Sequence, residues 1–213
     1  MKHIKYDTDK YDFRPMIEDM VEQPNLEDLH KHQNSNELLK LETEQATPFH
    51  KLYYSKVRDH KFFSVYKSFI KKIIKPLFDD EEIVYQKIPT FRTQFVNNIG
   101  VGKWHRDRDY SHPSYATNFF LPVTDAYDTN TVWTESEVDK KDYSPITTKY
   151  GQCVMWNGAN LKHGNKINET DITRVSFDFR CMKLNDYNKT ERTEKQSIVT
   201  NMSLVIGQYY EVM

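Results

Sequence analysis

The 213-residue sequence predicts a mainly β domain, a sandwich or barrel of short strands with helices on its N-terminal flank. Three observations predict it. From Ile83 onward, apolar and polar residues alternate with period two in short runs separated by Asn, Gly and Pro. No intervening helix is read among those runs up to Met182, which argues against a strand–helix alternation. The one strong 3.6-residue period lies ahead of them, from Asp59 to Phe78.

Taken in order, the chain reads as one domain over residues 1–213. It has a helical or irregular part (1–82), a strand-rich core (83–182) and an extension (183–213). The first 48 residues are polar, with small apolar groupings at Met16-Ile17 and Leu38-Leu39-Leu41, and predict short helices and loops. His30 and His32 there read as an exposed pair in a charged segment, not as metal ligands.

Between Asp59 and Phe78, Phe62, Val65, Tyr66, Phe69, Ile70, Ile73, Ile74 and Leu77 form one apolar stripe. Lys67, Lys71 and Lys72 fall off it, and Pro76 with the acidic run Asp79 to Glu82 marks its end. Such a helix packs across the outside of a sheet. Strands are then expected at Thr90–Val96, Trp104–Asp107, Tyr115–Val123, Thr129–Thr134, Gly151–Trp156, a short piece ending at His163, and Ile172–Met182. Met202–Ile206 reads as a last strand or a lid.

Composition narrows the function. Thirty basic residues against thirty-one acidic ones leave no basic stripe, so nucleic acid is not an expected partner. No apolar run spans a bilayer and the N-terminus lacks a signal-peptide stretch. Cys153 and Cys181 match no zinc spacing and sit in apolar segments, as buried free thiols do. The expectation is a cytoplasmic protein acting on a small molecule; the oligomeric state is not legible.

The chemistry concentrates at Trp104-His105-Arg106-Asp107, His163 and Arg174-Val175-Ser176. On a strand, residues two apart share a face, so His105 and Asp107 leave together. Two imidazoles and a carboxylate form the facial set that holds non-haem Fe(II) with positions left open. Arg174, followed at period two by Ser176, Asp178 and Arg180, suits a planar two-pronged grip on a carboxylate. A kinase reading of His-Arg-Asp fails for want of a glycine-rich loop, an Asn at the right spacing and an Asp-Phe-Gly. A surface ion pair explains His105 and Asp107 alone, and a half-exposed strand explains the alternation after Arg174. Neither explains the order of the three blocks.

That order, with Asn118-Phe119-Phe120-Leu121-Pro122, the run Thr129 to Ser136 and Arg174 to Arg180, resembles the Fe(II)/2-oxoglutarate-dependent dioxygenases. Within them it is similar to the streptomycin-biosynthesis StrG-like branch. The likeness covers roughly residues 90–182. It implies a double-stranded β-helix (a cupin-like jelly roll) and His105, Asp107 and His163 as Fe(II) ligands. It further implies that Arg174 holds the far carboxylate of 2-oxoglutarate with Ser176 beside it, and that O2 is consumed with release of succinate and CO2. Strand alternation adds Arg92, Gln94, Asn118, Thr131 and Trp133 as pocket residues, Asn118 and Thr131 toward the cosubstrate. Arg92, Gln94, Trp133, Glu135 and Arg180 are the substrate candidates, and the polar groups Asp178, Arg180 and Glu135 suit an amino acid, sugar or cyclitol. Trp104 and Trp156 read as packing residues, and Arg106 points away from the metal.

Two other classes compete. A cupin-like metal-dependent sugar isomerase or epimerase needs a further ligand, for which His112 is the available histidine. A non-catalytic β-sandwich module needs none of these residues. Neither requires a dicarboxylate clamp after the second histidine.

Overall fold

The computed structural model describes residues 1–32, 47–101, 103–189 and 203–213. Its elements are β1 (Lys2–Lys5), α1 (Phe13–Val21), α2 (Pro48–Lys56), α3 (Lys61–Phe69), β2 (Ile83–Gln86), β3 (Thr90–Gln94) and β4 (Thr117–Pro122). There follow β5 (Val132–Thr134), β6 (Ser144–Pro145), β7 (Gln152–Trp156), β8 (His163–Asn165), β9 (Arg174–Lys183), α4 (Leu184–Lys189) and β10 (Tyr210–Val212). The strands form a large antiparallel sheet in the order β1-β7-β4-β9-β2-β10, with β3 also paired to β9, and a small sheet β6-β5-β8. This is the mainly β, jelly-roll architecture.

The ten-residue β9 organises the rest, since β2, β3 and β4 all pair with it. Its alternation divides the molecule. Val175, Phe177, Phe179 and Cys181 point outward into the main core, and Arg174, Ser176 and Arg180 are buried on the inner face. β-Branched and aromatic residues suit this pleated surface, whose cross-strand partners are largely aromatic; Phe119 stacks on its register partner Phe179.

The outer face is covered by α1, α2 and the segment beginning with α3. Phe62 meets Phe177, and Tyr66 and Phe69 meet Phe179, with ring centroids 5.1, 5.5 and 6.5 Å apart. Phe62, Tyr66, Phe69, Ile70 and Ile74 are fully enclosed, so the expected stripe faces the sheet. The expected single α-helix, however, changes pitch: α3 gives way to a π-helical turn (Ile70–Ile74) and a 3-10 turn (Lys75–Phe78). Pro76 brings no backbone N–H, and its ring crowds the preceding turn of an α-helix; Asp79 in the left-handed conformation then ends the segment.

Other expectations are corrected. Trp104–Asp107 is not a strand. His105 makes an isolated bridge to His163, and Asp107 opens a 3-10 turn in which Asp109 accepts the Arg106 N–H at 2.9 Å. His163 begins its strand rather than ending one, and the last strand lies at Tyr210–Val212, beyond Met202–Ile206. The N-terminal part adds β1 to the sheet edge through Lys2–Lys5, a run with no alternation to reveal it. Leu38, Leu39, Leu41 and Met202 fall outside the described residues. Among those described, no helix is long and apolar enough to cross a membrane. Cys153 and Cys181 are buried free thiols.

Candidate metal centre

His105, Asp107 and His163 come together between the two sheets. One ligand atom from each lies within 4.8 Å of the others, and no other cluster of three or more His, Cys, Asp or Glu side chains is so arranged among the described residues. Asp107 Oδ1 is 3.5 Å from His105 Nε2 and 3.6 Å from His163 Nε2. The bridge between His105 and His163 sets the two rings 4.5 Å apart. The turn starting at Asp107 swings its carboxylate toward them, so a turn achieves what a strand was expected to do. His112, which an isomerase reading needs, is outside this cluster.

The tautomers follow from the partners. His105 Nδ1 lies 2.7 Å from the Lys103 carbonyl and His163 Nδ1 2.9 Å from the Leu161 carbonyl. A carbonyl only accepts, so each Nδ1 carries the proton and each Nε2 lone pair faces the centre. Burial lowers the His163 pKa, which keeps that ring a neutral donor. Trp156 meets His163 edge-on at 4.8 Å, and Trp104 lies on Gly164, where a Cβ would come within 2.7 Å of the indole.

Asp107 is held through its other oxygen. Oδ2 accepts from Arg180 Nε at 2.7 Å, Arg180 Nη2 at 2.6 Å and Asn118 Nδ2 at 2.6 Å. Burial opposes ionisation of this carboxyl. The Arg180 charge and the neighbouring histidines outweigh it and hold its pKa well below the usual range. Arg180 in turn donates to Gln86 Oε1 and to the Tyr209 hydroxyl, and its own pKa is raised by Asp107 against burial. Asp107 therefore presents a single free oxygen, Oδ1, to the centre.

Arg174 sits on the same inner face of β9, six residues before Arg180, and is 2% exposed. It donates to the Asn130 carbonyl at 3.0 Å, Ser176 Oγ at 2.7 Å and Gln94 Oε1 at 3.1 Å, all neutral acceptors. No carboxylate of the described residues lies within ion-pair distance of it. Burial pushes its pKa down to about 10, Asp178 pulling the other way and Arg92 adding to the fall.

A cleft of about 440 Å³, its open mouth included, reaches the triad. Its wall includes Arg92, Asn118, Asp178 and Arg180 with apolar Val101, Phe119, Val132 and Trp156; Arg174, Ser176, Gln94 and Thr131 are not part of that lining. Arg92 pairs with Asp178 through Nε at 2.8 Å. Gln94 is fully enclosed, donating to the Thr129 and Lys166 carbonyls. Thr131 donates to the Ile146 carbonyl, and Trp133 to Asp128 with the Lys166 ammonium 3.3 Å from its ring. Glu135 is buried beside that sheet, accepting from the Lys162 N–H at 2.6 Å, and does not reach the cleft. Arg106 turns outward to Asp139 and the Asn160 carbonyl.

Trp156 and Asn165 line the cleft without being marked as substrate contacts by the sequence, and Asp178, expected on the polar substrate face, lines it too. Asp178 was visible in the alternation of β9; the other two need the strand pairing. Asn118 Oδ1 and Trp156 Nε1 are buried without a hydrogen-bond partner among the described residues.

No protein-family model matches the chain. Among solved structures, EctD from S. alaskensis with bound Fe has a TM-score of 0.51 at 13% identity over 89% of this chain and 72% of EctD. SnoK, a non-heme α-ketoglutarate-dependent carbocyclase from nogalamycin biosynthesis, has a TM-score of 0.51 at 12% identity over 99% of this chain and 90% of its own. The epimerase SnoN from the same biosynthesis has 0.50 at 10% identity over 99% and 92%. At such identities the likeness establishes the fold. The streptomycin biosynthesis protein StrG of Streptomyces griseus is 32% identical over 211 residues, 99% of this chain and 97% of StrG. A likeness of that degree from end to end makes the chain a member of the StrG family.

Proposed function

We propose that this chain is an Fe(II)- and 2-oxoglutarate-dependent dioxygenase that hydroxylates a small polar metabolite with release of succinate and CO2. The observation that carries the reading is Arg174, a buried cation without an anionic partner among the described residues, on the same strand face as the groups that frame the triad. An unpaired buried charge is unfavourable, and a carboxylate delivered by a ligand relieves it.

The residues fit both groups. His105 Nε2, His163 Nε2 and Asp107 Oδ1 are oriented to hold Fe(II) and leave positions open. Bound there, iron with 2-oxoglutarate and O2 supplies the oxidising chemistry; the rest is the work of the chain. Arg174 grips the C5 carboxylate of 2-oxoglutarate with the Ser176 hydroxyl beside it. Arg180 and Asn118 keep Asp107 a one-oxygen ligand. Val101, Val132 and Trp156 exclude water from the reacting centre. The unpaired Asn118 Oδ1 acceptor and Trp156 Nε1 donor suit a substrate with polar groups. With Asp107 as the third ligand, no place is vacant for a halide, which favours hydroxylation over halogenation.

Epimerisation or ring closure is a second reading, favoured by the fold likeness to SnoN and SnoK. Product mass separates them: one added oxygen for hydroxylation, no change for epimerisation, two hydrogens lost for ring closure. Succinate formation from 2-oxoglutarate, with and without Fe(II), tests the class itself. Absence of Fe(II)-dependent succinate formation across a panel of amino acids, sugars and cyclitols with their acidic and phosphorylated counterparts contradicts it.

A further inference from the structure

The charged side chains of the cleft wall, Arg92 and Arg180 with Asp107 and Asp178, balance, and Arg174 on the same inner face of the sheet adds one positive charge. Arg92, Arg174 and Arg180 face two carboxylates, Asp107 and Asp178. Arg180 is matched by Asp107 and Arg92 by Asp178, which leaves Arg174 over. On the oxygenase reading, a divalent metal and a doubly charged cosubstrate enter together and cancel each other. Imidazoles bind a metal as neutral rings, so the loaded site retains one positive charge. A low-dielectric cleft holding one uncompensated cation favours an anion as its remaining occupant.

Arg92 is the group positioned to receive it. It lines the cleft, whereas Arg174 is not part of the lining, and Arg180 is committed to Asp107 through two nitrogens. Arg92 is tied to Asp178 through Nε alone, and its two Nη groups have no hydrogen-bond partner among the described residues. Its side chain is 16% exposed, so the fork is reachable from the cleft while its stem is held in β3. A guanidinium fixed at Nε presents its remaining N–H groups in a planar array that matches carboxylate or phosphate oxygens.

We propose that the primary substrate carries an anionic group, carboxylate or phosphate, and that Arg92 is the specificity-determining residue that grips it through its free Nη groups. The proposal rests on the 2-oxoglutarate reading for its charge balance. It makes neutral and cationic sugars, cyclitols or amines poor substrates beside anionic counterparts of the same shape.

Calorimetric titration of inorganic phosphate into the protein loaded with Ni(II) and 2-oxoglutarate tests it, Ni(II) being the redox-inert stand-in. Wild type is expected to bind one phosphate. Arg92→Gln is expected to weaken phosphate by at least roughly tenfold while changing 2-oxoglutarate affinity less than about twofold. Arg92→Lys keeps the charge and the pairing with Asp178 but loses the fork, and is expected to fall between; it decides the matter if Arg92→Gln does not fold. Acetate in place of phosphate separates carboxylate from phosphate preference. Absence of saturable binding by either anion overturns the proposal. So does equal binding in Arg92→Gln, which puts the anion on the metal. An equal loss of 2-oxoglutarate and phosphate affinity in Arg92→Gln also overturns it, by moving Arg92 into the cosubstrate subsite. Wild type that binds phosphate through Arg92 yet binds no 2-oxoglutarate sinks the oxygenase reading and leaves the anion site standing.

Discussion

Arg180 and Arg174 share one face of one strand, are both almost wholly enclosed, and are treated in opposite ways. Arg180 has a carboxylate gripped through two nitrogens, so its charge is neutralised within the chain and drives Asp107 to remain ionised. Arg174 has, among the described residues, a carbonyl, a hydroxyl and an amide oxygen as its only acceptors, and burial depresses its pKa instead of a partner raising it. The difference separates a charge that builds the site from a charge kept for a ligand. Breaking a matched pair strands the surviving ion, whereas removing an unmatched ion strands none.

The largest effect follows from removing the shared carboxylate. Asp107→Ala takes away the one acidic ligand and leaves Arg180 enclosed without an anion, so metal content and turnover fall to zero. Full metal stoichiometry in that variant, measured by elemental analysis, contradicts the ligand set.

Next is the direct contrast between the arginines in the ligand-free protein. Arg180→Met leaves Asp107 charged and unpaired, at an expected cost of about 3–5 kcal/mol. Arg174→Met loses neutral hydrogen bonds but also an uncompensated charge, and is expected to cost less. Urea unfolding measures both, and equal losses erase the distinction.

A smaller effect concerns a buried histidine away from the cleft. Burial and the nearby Arg92 charge push the His50 pKa down to about 3, while in the unfolded chain the imidazole titrates near 6.5. The unfolded state therefore binds the extra proton first. The stabilisation from His50 is complete above about pH 6.5 and is lost as pH falls toward the folded value, at about 1.4 kcal/mol per pH unit. In His50→Gln, the stability difference between pH 7 and pH 5 should shrink by about 2 kcal/mol. An unchanged difference means that His50 is protonated in the folded protein.

The jelly roll was legible wherever one face of a strand met the core. Val175, Phe177 and Phe179 alternate with polar residues, and that alternation is the inner–outer division of β9. It left unread what depends on pairing between distant segments. Arg180 shows a free polar side chain in the sequence, and only the register that sets it opposite Asn118, beside the Asp107 turn, reveals its occupation. Glu135 likewise carries a charge that suggests a substrate contact, yet the Lys162 N–H and the Arg106 guanidinium, 3.8 Å away, take it up. The pair His105 and Asp107 was found through a strand spacing that the structure replaces with a bridge and a turn. The chemistry of those residue types was a better guide than the local conformation assumed for them.

The central claim is that Arg174 is kept for a carboxylate brought by the cosubstrate. Anaerobic titration calorimetry of 2-oxoglutarate into the metal-loaded protein tests it most directly. Charge-assisted hydrogen bonds contribute about 1.5–3 kcal/mol each, so Arg174→Ala should raise the dissociation constant at least roughly tenfold. Arg174→Lys should be intermediate, and Ser176→Ala, losing a neutral donor, mildest at about 1 kcal/mol. Metal affinity without cosubstrate should be nearly unchanged in all three. Wild-type 2-oxoglutarate affinity in Arg174→Ala would contradict the account.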